Sequence, residues 1–342
     1  MTITRLFQSG AESNTSDSEV EFDIQYNIAC STDYPKTGTY SFRFTSTSYL
    51  YRVIPATRQA RCGQHVCIAV AAATNTGNLI SFRANTTRLV GISPKDSSTL
   101  SLFVGDVECD TCTLLTPMSD NIHIGLDVKI DLTSGWAVVY IDGIEVMRYE
   151  GDTGNADINT FRLGKLTGEG GNVPSYTYMD DIFVDDTTGQ GAAAPVPDRR
   201  FYPITPNGAG AYNHGIGSDG NSVDNHLLVD DRPHNSDTDY VYMDTLDQKE
   251  LNLMTTYTPP TGFTFAALIP FVYAKKTDAE VDTQLAPLLY TTSGSDLLGT
   301  AQALPTSYGW IWERFTTKPG GGAWDQAGIN DVQVGFQGKG TF

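Results

Sequence analysis

The chain has 342 residues, and 22 Lys and Arg against 40 Asp and Glu give a formal charge of 22 − 40 = −18. Affinity for nucleic acid or an anionic membrane comes from clustered cations. The longest basic runs here are the dipeptides Arg199-Arg200 and Lys275-Lys276, so those two partner classes are excluded.

Only 18% of residues are charged, while 40% are hydrophobic and 17 Tyr, 15 Phe and 4 Trp are present. A surface built from hydroxyl and amide side chains, with Thr and Tyr abundant, favours strands over helices. The 33 glycines and 16 prolines make the chain rich in turns. They stay well below the ~25–30% of low-complexity sequence. No apolar run approaches the ~20 residues that span a bilayer. The segment Met1–Gln8 lacks the charged-then-apolar order of a secretory signal, which predicts synthesis in the cytoplasm.

In chain order, Tyr40–Thr45 and Leu79–Ala84 alternate apolar and polar residues, the signature of a strand with one wet face. His123–Leu132 alternates for its whole length, and Trp136–Ile141 reads as a buried strand. Asp142-Gly143 then supplies the turn chemistry of a two-residue hairpin loop before the alternating Ile144–Tyr149. Thr187 to Pro197 has no hydrophobic period, is made of small residues and ends in Pro195-Val196-Pro197. It predicts a linker at 188–197 between domains at 1–187 and 198–342. Beyond it, strands are expected at His226–Val229, Asp239–Met243, Phe263–Lys275, Gln284–Tyr290, Tyr308–Thr316 and Asp331–Gly335, with a helical turn near Gly322–Gly328. The prediction is an all-β protein of two sandwiches.

Both domains are acidic. The first carries 13 bases and 23 acids (13 − 23 = −10), the second 9 and 17 (9 − 17 = −8), so neither is a charged tail.

The cysteines form a pattern: Cys30 alone, then Cys62 and Cys67, then Cys109 and Cys112. Two close pairs supply four thiolates for a tetrahedral zinc, or two disulfides between neighbouring loops, or separate thiols. All three readings stand on sequence alone, and His65 is assigned to solvent. Asp180-Asp181 and Asp185-Asp186 raise calcium as a lesser alternative to turn carboxylates flanking inward Ile182 and Val184. From Asp219 to Asp247 eight aspartates accompany one base, Arg232, without the ladder of an EF-hand. No catalytic Ser-His-Asp or Cys-His grouping and no phosphate-binding glycine loop stands out.

The order Trp136–Val146, Phe161–Gly164 and Met179–Asp186, opened by Asp33–Phe44, resembles the concanavalin A-like jelly roll of laminin-G type, over residues 18–187. That resemblance implies a fold shared by lectins, glycanases, adhesins and structural modules. Glycanases of this fold carry Glu-x-Asp-x-x-Glu on one strand. Glu19, Glu21 and Asp23 share a strand face but lack that spacing, so no enzyme is expected.

Four motifs in order, Val229–Val241, Ala274–Glu280, Leu304–Tyr308 and Glu313–Phe336, are similar to a β-sandwich module of tailed-bacteriophage structural proteins. In the last of them Gly320-Gly321-Gly322 is expected to deliver Trp324 as an apolar plug. This resemblance implies a non-enzymatic virion component on capsid or tail, packing against other virion proteins and copies of itself. The alternative is an adhesin whose jelly roll binds a host glycan.

Overall fold

A computed structural model describes the chain except residues 1–3, 12–21, 46–47, 69–77, 97, 115–120, 165–175, 192–194, 232–233, 236, 280–281 and 342. It is all-β, divided into a unit ending at Tyr202 and a unit beginning at Pro203. Among the described residues no helix is long and apolar enough to cross a membrane.

Among the described residues the first unit holds fifteen strands. They are β1 (Thr4–Ser9), β2 (Ile24–Tyr26), β3 (Ala29–Ser31), β4 (Ser41–Phe44) and β5 (Tyr49–Thr57). Next come β6 (Gln59–Ile68), β7 (Ile80–Ala84), β8 (Thr87–Pro94), β9 (Thr99–Val104) and β10 (Val107–Thr113). The last are β11 (Ile122–Lys129), β12 (Gly135–Ile141), β13 (Ile144–Gly151), β14 (Ile158–Gly164) and β15 (Thr177–Asp186). They form two antiparallel sheets, one in the order β13-β12-β11-β6-β15-β4-β3 with β1 added beside β15, the other β10-β9-β8-β7-β14-β5-β2. One continuous core fills the space between them, including Phe42, Phe44, Leu50, Phe82, Leu102 and Phe161.

Local chemistry explains the layout. Asp142 and Gly143 both adopt positive φ (48° and 81°), which matches the right-handed twist of β12 and β13 and sets Ile141 against Ile144. Strand β15 has two successive neighbours on one side: Thr177–Met179 pair with β4, and Ile182–Asp186 pair with β1. The bulge at Asp180–Asp181 marks the change, with Asp181 in the left-handed region (φ 53°).

Among the described residues the second unit has ten strands, beginning with β16 (Pro206–Asn213), β17 (Ile216–Gly217), β18 (Val241–Tyr242), β19 (Lys249–Met254) and β20 (Phe271–Ala274). They continue as β21 (Thr283–Thr291), β22 (Asp296–Leu298), β23 (Gln302–Ala303), β24 (Gly309–Trp312) and β25 (Val332–Gly340). A six-stranded sheet runs β16-β19-β25-β21-β22 with β23 on β21, and two-stranded ribbons pair β17 with β18 and β20 with β24. The β20–β24 ribbon packs Val272, Ala274 and Ile311 against Leu285, Leu304 and Phe336, completing a smaller sandwich.

The three glycines Gly320–Gly322 all take positive φ and lead to Trp324, which is buried with Leu268, Leu289 and Phe315. Its indole donates to the Phe315 carbonyl at 2.8 Å, so the expected plug is present and its polar atom is satisfied. The helical turn lies at α1 (Gln326–Asp331), capped by Asp325, whose carboxylate accepts from the Gly328 amide. His226–Val229 is not a strand: Asn225–Leu228 is a 3-10 turn. The Asn225 side chain explains it, donating to Glu250 Oε1 (2.9 Å) and the Gly215 carbonyl (3.0 Å) and pulling the segment inward. Phe263–Lys275 shortens to β20 because Pro270 has no amide hydrogen to give a ladder.

Candidate functional site

The expected linker 188–197 is corrected. Thr188 Oγ1 lies 3.1 Å from Thr57 Oγ1, and the Gln190 carbonyl accepts from the Gln59 amide at 2.7 Å. Val196 is buried with Val138, Tyr140 and Phe183 on the outer face of the larger sheet. The chain therefore stays on the first unit through Tyr202, and 195–202 forms a strap over that face.

Register builds the surface beneath the strap. His65 on β6 stands opposite His123 on β11 and Asp180 on β15; Gly63 stands opposite Gly125 and Phe183; Arg61 stands opposite Asp127 and Asp185. The middle row is a trough. A Cβ on Gly125 would lie 2.4 Å from Val196 Cβ, and one on Gly63 would lie 2.5 Å from the Phe183 ring. Glycine is required at both positions because a side chain occupies the space above each.

Charged groups bind the strap on either side of the trough. Asp198 Oδ1 lies 2.8 Å from His65 Nε2, and Arg200 pairs with the other carboxylate oxygen at 3.2 Å. The Asp181 carboxylate accepts from the Phe201 amide at 2.8 Å, and the Thr37 hydroxyl lies 2.7 Å from that carboxylate and 3.0 Å from the Phe201 carbonyl. Arg199 reaches Asp185 at 3.5 Å, and Arg5 reaches the same carboxylate at 2.5 Å. Both guanidinium carbons lie over the Phe183 ring, at 4.7 Å for Arg5 and 5.2 Å for Arg199. Beside them Arg61 and Asp127 form a buried ion pair at 3.0 Å.

Burial governs the proton affinities. His123 is pushed down to about 4 by desolvation and then by its neighbour His65, whose ring centroid is 5.1 Å away. Desolvation also lowers His65, opposed by the hydrogen bond to Asp198. His65 is therefore neutral at pH 7, and donation to Asp198 assigns its proton to Nε2. Asp181 is raised well above the usual carboxylate range by burial and then by the adjacent Asp180. Asp180 itself accepts from the Lys36 and Thr37 amides at 2.7 and 3.0 Å. His65 thus faces the strap and not solvent.

The cysteine expectations are corrected in the same way. Cys62 and Cys67 lie on β6, and an odd spacing of five sends them to opposite faces: Cys62 joins the inter-sheet core, whereas Cys67 does not. Cys109 and Cys112 lie on β10, the edge of the other sheet, which meets the β13 edge where the Arg148 amide donates to Asp110 at 3.0 Å. Strand β6 is three strands in from β13. That is about 14 Å at the usual strand spacing. Neither Zn–S bonds of ~2.3 Å nor a disulfide, with its Cα atoms within ~7 Å, can join the two pairs. None of the five cysteines forms a disulfide.

Among the described residues no group of three His, Cys, Asp or Glu side chains is placed to hold a metal ion. The carboxylates named for calcium have protein partners: Asp180 accepts from the Lys36 and Thr37 amides, Asp185 pairs with Arg5 and Arg199, and Asp186 accepts from the Thr188 amide. Of the acidic N-terminal face, Glu19 and Glu21 lie outside the described residues, and Asp23 accepts from the Val53 amide at 2.5 Å.

No protein-family model and no curated protein sequence matches the chain. Among solved structures it is similar to the cellulose induced protein Cip1 at 13% identity, over 48% of this chain and 88% of that one, with a TM-score of 0.37. Carbohydrate binding module CBM66 from Bacillus subtilis is similar at 10% identity, over 48% and 94%, with a TM-score of 0.33. A sialidase is similar at 15% identity over 54% of this chain but only 19% of its own, with a TM-score of 0.33.

Proposed function

We propose that the chain is a non-catalytic structural component of a tailed-phage particle, carried on the surface of capsid or tail. It acts by packing against other particle proteins and copies of itself. The observation that carries the non-catalytic part is the strap. Two strongly perturbed acid–base groups of the first unit, His123 and Asp181, lie with His65 beneath or against 195–202. General acid–base work requires such groups within reach of a substrate. The particle part rests on the four ordered motifs of the second unit and on a polar, weakly charged surface suited to moderately polar interfaces of fixed geometry.

The alternative, a host glycan held on the jelly roll, asks for an open sheet face. On the larger sheet the part of the outer face around His65, Tyr140, Asp181 and Phe183 is covered by Val196, Asp198 and Phe201.

Quantitative mass spectrometry of purified particles tests the proposal. The expected result is this chain at a constant ratio to the major shell protein across preparations. Absence from washed particles overturns it.

A further inference from the structure

The β20–β24 ribbon has two unlike faces. Val272, Ala274 and Ile311 point to the core, so the cross-strand pairs Phe271–Trp312 and Tyr273–Trp310 share the opposite face. Phe271 is 43% exposed and Trp312 37%. Their rings are nearly parallel (26°) with centroids 6.1 Å apart. Behind them the aromatic file is covered: the His234 ring lies on Tyr273 at 3.9 Å, Tyr273 stacks on Tyr308 at 5.0 Å and 17°, and Lys275 Nζ lies 4.3 Å over the Tyr308 ring, so Phe271 and Trp312 are the exposed end.

We propose that the exposed Phe271–Trp312 end of this ribbon face is a carbohydrate-stacking surface for a neutral glycan. Aromatic π faces carry partial negative charge and attract the polarised C–H groups on the apolar side of a pyranose ring. A polar margin lies at the Tyr308 end. The Tyr308 hydroxyl donates to Asp237 Oδ1 at 2.9 Å, Lys275 Nζ lies 2.6 Å from the same oxygen, and the Asp237 side chain is 70% exposed. A carboxylate, an ammonium and a phenol at the edge of an aromatic platform are partners for sugar hydroxyls.

Two further observations select this occupant. Lys275 and Asp237 cancel each other, so this margin offers a balanced pair and not a cationic cluster, on a chain of charge −18. Four residues on two strands cover about 13 by 10 Å. That is far short of the ~800 Å² per partner of a stable protein interface, but it is the scale of a short oligosaccharide. The proposal does not rest on the particle assignment.

Native gel electrophoresis of the full chain, in gels cast in turn with mixed-linkage β-glucan, mannan, galactan or dextran, tests it. At least one of these polymers is expected to retard the chain. Trp312→Ala and Phe271→Ser should each weaken that retardation about tenfold, while Tyr26→Ala, at an exposed aromatic of the first unit, leaves it unchanged. Near-UV circular dichroism confirms that each variant is folded. Three results overturn the proposal: no retardation in any gel, retardation that survives both ribbon substitutions, or stronger retardation by dextran sulfate than by the neutral polymers. Concentration-dependent self-association abolished by Trp312→Ala also overturns it, because the occupant is then a second copy of the chain.

Discussion

His123 folds with its ring 2% exposed between His65 and the trough, and its ordinary proton affinity falls to about 4. The neutral ring is favoured in the fold, so its contribution to stability is complete above pH 6.5 and is lost as pH falls from 6.5 towards 4. Between pH 7 and 4.5 the loss is about 2 kcal/mol, at 1.36 kcal/mol per pKa unit. Urea unfolding of the chain and of His123→Asn at those two pH values checks this. The stability difference between the two pH values should be smaller in the variant by about that amount. An unchanged difference would mean that His123 is not buried as described. Asp181 works in the opposite direction: its raised affinity favours the protonated form in the fold, so its contribution is largest at low pH and fades as pH rises. Removing His123 isolates one limb of this opposition.

Among the elements, the strap 195–202 was the least legible in the sequence. Pro195-Val196-Pro197 has the composition of a connector, and composition carries no record of what a short extended segment rests on. The alternation of His123–Leu132 correctly assigns Ile124, Leu126, Val128 and Ile130 to the core. It cannot say that His123, Gly125 and Asp127, on the other side, are covered as well. The one signal available was a glycine in the middle of each of two strands, Gly63 and Gly125, which register later places side by side. Local chemistry was easier to read: Asp142-Gly143 and Gly320–Gly322 fix their turns by backbone preference alone, wherever the rest of the chain goes.

Val196 is 1% exposed, and its burial contributes about 1.5–3 kcal/mol to holding the strap down. Val196→Asp forfeits that and places a charge in the trough. Trypsin, which cleaves after Arg199 and Arg200, is expected to cut the variant there at least about tenfold faster than the native chain, at a ratio set by the cost of opening. Equal rates would show that the strap is already open in the native chain.

At the scale of the whole molecule, two acidic sandwiches were legible because strand alternation and glycine-rich turns recur in both halves. The division between them was misplaced by several residues, since a sequence boundary follows composition while a structural one follows burial. That difference decides where the chain can be cut. A fragment ending at Thr187 leaves the Arg61–Asp127 pair, the Gly125 trough and the Phe183 ring open to water, with Asp185 keeping only Arg5 of its two arginines. It is expected to precipitate or self-associate in sedimentation velocity, whereas a fragment ending at Tyr202 sediments as a single folded species. Any attempt to graft the first sandwich onto another protein must therefore carry its last fifteen residues along, as the first sandwich's own roof.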